Sequence, residues 1–127
     1  MTDVTELSPM QQLDERGYVV VEGVLDPERD LKPVLDEYRE VLERLARALL
    51  AQGRIASAYA ELPFKERLIR ITRESGRSLS GHFDISLPQT GVRSDTPIHT
   101  GPACFRLLTN PRLLDLAELF VGPEISV

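Results

Sequence analysis

The sequence predicts an α+β fold, rich in helix with a few strands. Three observations lead there. A wide apolar stripe recurs at three- and four-residue steps from Leu31 to Leu49. Ser8-Pro9, Asp26-Pro27 and Asn110-Pro111 each join a capping side chain to a proline suited to the first helical position. Tyr18 to Val21, and again Ile125 with Val127, are aromatic or β-branched in the manner of strands.

Ser8 and Pro9 open a short helix through "PMQQLDER", and Gly17 supplies a left-handed stop. Tyr18–Val21 reads as a buried strand. Asp26-Pro27 then restarts a helix. Proline is tolerated only in a first turn, so Pro33 sets the regular helix to begin near Asp30 and run to Gln52, before Gly53. Leu31, Val34, Leu35, Tyr38, Leu42 and Leu45 belong to its apolar side, and Asp36, Glu37, Glu40 and Arg44 to its charged side. Glu40–Arg44 and Glu43–Arg47 are acid-before-base pairs worth about 0.3–0.5 kcal/mol each.

"LPFKERLIRITRESG" predicts a helix from near Pro63 to Gly76. Ser75 to Gly101 is rich in serine, glycine and proline and reads as a long loop with extended pieces around Phe83–Leu87. "TGPACFRLLTN" predicts a short helix. "NPRLLDLAELFVGP" predicts one capped by Asn110 and stopped by Gly122. Ile125 and Val127 then read as the opening of a strand.

A chain of 127 residues fits one domain with a real core. Its net charge of -5 repels phosphate backbones, which argues against nucleic acid as a partner. No apolar run is long enough to span a bilayer, and "MTDVTELSPM" lacks the basic and apolar regions of a secretory signal. Cys104 is the single cysteine, so no internal disulfide forms. These features predict a cytoplasmic protein without a membrane span.

Two blocks together carry a family likeness. "LDERGYVVVEGVLDPE" followed by the long amphipathic helix, and later "FRLLTNPRLLDLAELFVGPEISV", resemble the N-terminal half of phytanoyl-CoA dioxygenase family proteins. The resemblance implies the helix-rich front of a double-stranded β-helix (jelly-roll) oxygenase that uses Fe(II) and 2-oxoglutarate on a small organic or lipid-like substrate. It further implies that the iron ligands, a His-x-Asp pair and a distant histidine, and the arginine that grips 2-oxoglutarate all follow the Gly122-Pro123-Glu124-Ile125 turn. Residues 1–127 would then be the N-terminal part of such a domain, inactive alone, with no catalytic, cofactor or metal residue of its own. On this reading Leu35, Tyr38, Leu42, Leu45 and Leu49 pack against the barrel sheet, Tyr18–Val21 extends that sheet, and exposed apolar helix faces favour association. The alternative is a non-enzymatic helical module that docks a partner through the Asp30–Gln52 helix.

His82 and Asp84 share the His-x-Asp spacing, and His99 is the only other histidine. On a strand, residues two apart share a face, so a facial His-Asp-His set is sterically allowed. The surrounding segment has little β-pattern, however, and predicts a loop histidine and a turn or capping aspartate. The long loop can instead border a barrel mouth, with His82 or His99 facing substrate. Lys65, Arg67, Arg70, Arg73 and Arg77 form a basic run whose simplest reading is a solvated helix face. Cys104 reads as a buried, inert thiol.

Overall fold

In the computed structural model, which describes residues 7–124, every regular element is helical. Helix α1 is Pro9–Arg16. The Ser8 hydroxyl accepts the Gln11 amide at 3.2 Å, and the Gln11 side chain accepts the Ser8 amide at 2.9 Å. This reciprocal cap satisfies two donors that a helix start leaves free. Gly17 closes the helix with φ 78° and donates to the Leu13 carbonyl.

The strand predicted for Tyr18–Val21 does not form. A strand exists by pairing its backbone with a neighbour, and no partner strand occurs among the described residues. The segment keeps only the alternation of a strand. Val19 and Val21 line an apolar groove with Leu113, Leu116 and Phe120, while Tyr18 and Val20 are 62% and 75% exposed. In the segment expected to hold extended pieces, Phe83 ends the 3-10 turn Ser80–Phe83, and Asp84 is extended and begins a side-chain-capped turn. The predicted α+β class, with its few strands of a β-helix, is therefore overturned. The described chain is helical, with no strand or sheet. Ile125 and Val127 lie outside the described residues.

A wide π-helical turn, Pro27–Leu31, precedes helix α2, Lys32–Ala51. The Asp26 side chain accepts the Arg29 amide at 3.0 Å and caps this turn. Pro33 falls in the first turn of α2, which therefore begins two residues later than predicted. Helices α3 (Phe64–Ser75), α4 (Pro102–Leu108) and α5 (Pro111–Val121) follow, with Asn110 capping α5 through the Arg112 amide.

The core is where α2 meets α3. Leu42, Ala46 and Leu49 pack with Ile71 of α3 and with Ile55 and Leu79 from the connecting loops. Leu42 and Ile71 are fully enclosed. Arg67 is buried beside them. Its Nε donates to the Ala58 carbonyl at 2.9 Å, and its Nη2 lies 2.9 Å from Glu43 Oε2 without hydrogen-bond alignment. The α2 stripe thus packs on helix and loop rather than on a sheet. Leu35, predicted to join it, remains 45% exposed.

A second junction fixes α5. Arg112 donates to Asp30 Oδ2 at 2.6 Å and to the Val24 carbonyl at 2.9 Å, while the Asn110 amide reaches Asp30 Oδ1 at 3.2 Å. The Asp26 amide, Arg29 and Arg112 hold the Asp30 carboxyl far below its ordinary range, against the upward push of burial. No helix among the described residues is long and apolar enough to cross a membrane.

Candidate functional site

Near its N-terminal end α2 presents Glu37 toward the loop that enters α4. Oε1 accepts the Ala103 amide at 2.9 Å, and Oε2 accepts the Cys104 amide at 3.1 Å. His99 Nε2 lies 2.9 Å from the same Oε2. Gly101 passes so close to this carboxyl that a Cβ there would overlap it. Burial pushes the Glu37 carboxyl up. The Ala103 amide, the His99 imidazole and the Cys104 amide together outweigh that push, and the group sits below its ordinary value as a carboxylate.

Tyr38 stands beside it. Its hydroxyl donates to the Phe83 carbonyl at 2.9 Å and lies 3.4 Å from Cys104 Sγ. Its ring meets those of Phe83 and His99 edge-on, with centroids 5.2 and 5.0 Å away. Burial, with Cys104 adding to it, pushes the phenol up to about 12. Tyr38 is therefore a fixed hydrogen-bond donor at neutral pH.

On the solvent side of Glu37 and His99 opens a cleft of about 330 Å³. Glu40, Arg44, His82 and Thr100 complete its polar side-chain lining. Both histidines of the sequence thus reach one cleft, His99 from its buried floor and His82 half-buried at its edge. Burial draws the His82 imidazole below its ordinary value. The lining offers two carboxylates, a guanidinium and two imidazoles, which suits a small polar guest rather than a greasy one.

Among the described residues the His-x-Asp pair belongs to no gathering of three or more His, Cys, Asp or Glu donors. Asp84 Oδ1 accepts the Ser86 amide at 2.9 Å and the Ser86 hydroxyl at 2.7 Å, a turn that lowers the pKa of the carboxyl. The loop does fold back, because the His99 amide donates to the Asp84 carbonyl at 2.7 Å. That contact is through backbone, and the side chains of His82, Asp84 and His99 do not converge. Among the described residues the His, Cys, Asp and Glu side chains that gather are Glu37, His99 and Cys104, with ligand atoms within 4.8 Å of one another. A thiol in that set is not the His and carboxylate triad that an Fe(II) oxygenase implies, so the described residues do not fit that iron.

The basic run is divided in space. Arg67 is buried against Glu43 and Ala58, and Arg70 lies over the Tyr59 ring, 4.8 Å from its centre. Arg73 and Arg77 are exposed. No cluster of free guanidinium groups results.

Sequence reading assigned Glu37 to the charged face and so missed it. The signal was present: Glu37 stands three residues after Val34 and four before Val41, in line with the buried stripe. Cys104 is buried as predicted, but its neighbours in space are 66 and 67 residues away in sequence. No protein-family model, curated protein or solved structure matches this chain.

Proposed function

We propose that this chain is the helical supporting portion of a non-haem Fe(II)- and 2-oxoglutarate-dependent dioxygenase, without oxygenase activity of its own. One observation supports the reading: the helices leave much apolar surface uncovered. Phe105 and Leu108 of α4, Leu119 and Val121 of α5, and Tyr18 and Val20 of the extended segment are all more than half exposed. Together they suit burial against a β-structure that carries the chemistry. In that whole the cleft between His82 and His99 borders the substrate path. The alternative, a module docking a partner through α2, draws on a helix whose Val41, Leu42, Ala46 and Leu49 are already buried within the chain.

The test is the gene read past codon 127, and the polypeptide it encodes. An in-frame His-x-Asp with a later His and Arg on strand-like segments is expected, with Fe(II)-dependent release of succinate from 2-oxoglutarate. A stop codon at that point, or a following domain of another class, overturns the proposal.

A further inference from the structure

We infer that Glu37, His99 and Cys104 form a three-ligand site for a divalent metal ion of the zinc type. The site is separate from the His82-x-Asp84 pair and does not depend on the dioxygenase reading.

The donor set carries the first part of the argument. A carboxylate, an imidazole and a thiol are the three side-chain types that bind zinc, and the thiol selects against magnesium and calcium. The geometry carries the second. Zinc holds sulfur at about 2.3 Å and nitrogen or oxygen at about 2.0–2.2 Å. Tetrahedral ligands at those lengths stand about 3.3–3.7 Å apart. The three donor atoms here lie within 4.8 Å of one another, with His99 Nε2 and Glu37 Oε2 at 2.9 Å. Closing on an ion requires the set to adjust by about an ångström.

Three features prepare the site. His99 and Cys104 are more than nine-tenths buried, so their donors are already stripped of most water. The Ala103 amide holds Glu37 Oε1 and the Cys104 amide holds Oε2, which fixes the carboxylate while Oε2 turns its other lone pair from His99 to a shared ion. That is the outer support metal-binding carboxylates ordinarily have. A cleft lined by Glu37 and His99 gives an ion a way in from solvent, while Cys104 lines a separate apolar pocket. Binding forms a sulfur–metal bond and releases the Cys104 thiol proton to solvent, so affinity rises with pH.

The experiment uses the reduced, chelator-treated chain. One equivalent of Zn2+ is expected by elemental analysis. Co2+ in its place is expected to give a thiolate-to-cobalt charge-transfer band. Cys104→Ser is expected to remove the band and to weaken Zn2+ binding by about 100-fold or more. Glu37→Gln, which keeps an oxygen for the Ala103 amide, is expected to weaken Zn2+ binding while preserving the helical circular dichroism. Asp84→Asn is expected to change neither metal readout. In the unaltered chain Zn2+ is expected to slow alkylation of Cys104, a readout that needs no variant to fold. Absence of stoichiometric binding, a cobalt spectrum without thiolate character, or alkylation at an unchanged rate overturns the inference.

Discussion

A single backbone position decides whether Glu37 can reach its partners. Gly101 has an ordinary extended φ, so no left-handed conformation requires glycine there. What requires it is space, because any side chain would displace the Glu37 carboxyl. Gly101→Ala is expected to cost about 1–3 kcal/mol through the lost amide contacts. Urea unfolding measures this, and a midpoint unchanged from wild type would contradict it. Asp30 gives the corresponding expectation for pH. Its folded pKa is depressed, so its contribution to stability is complete above the unfolded value near about 4 and is lost as pH falls below it. Asp30→Asn is expected to flatten the acid limb of stability against pH. Denaturant titrations across that range would show it, and an equally steep limb would refute it.

Elements announced themselves where the signal was local. Ser8, Asn110, Gly17, Gly76 and Gly122 stand at caps and stops that the sequence marks, and α1, α3 and α5 end where the three glycines predict. Elements were misread where pairing decides. Tyr18–Val21 has the composition of a strand, but composition cannot supply the neighbour that a strand needs. The stripe of α2 showed which face is apolar without showing what would cover each residue. Leu42 is enclosed and Leu35 is not, although both fit the same period. Leu42→Ala is therefore expected to cost about 2–5 kcal/mol, and Leu35→Ala under about 1 kcal/mol. Equal losses in chemical denaturation would mean that Leu35 is covered in solution. The candidate site was the least legible feature. Its parts are contributed by α2, the loop after α3, and α4, and no short motif joins them.

For the whole molecule the balance of covered and uncovered apolar surface governs behaviour. The enclosed core rests on α2, α3 and the two loops beside them, while α4 and α5 turn Phe105 and Val121 outward at 65% and 67% exposure. The chain is expected to bind a hydrophobic dye and to associate with rising concentration. Phe105→Ser together with Leu119→Ser is expected to reduce both while leaving helical content intact. Sedimentation and dye fluorescence check this. A monomeric, dye-silent wild type would show that these faces are satisfied in solution.

Glu37 grips residues that enter the sequence 62 to 67 positions after it. Closing so long a loop costs entropy before any contact repays it, whereas α2 and α3 are near neighbours along the chain. The packing of Leu42 on Ile71 joins residues closer in sequence and is therefore expected to form first as the chain is synthesised. The carboxylate of Glu37 waits in water until His99 and the start of α4 emerge. The junction of Arg112 with Asp30, 82 residues apart, is expected later still, so a chaperone or protease meeting the nascent chain would find both polar junctions unmade.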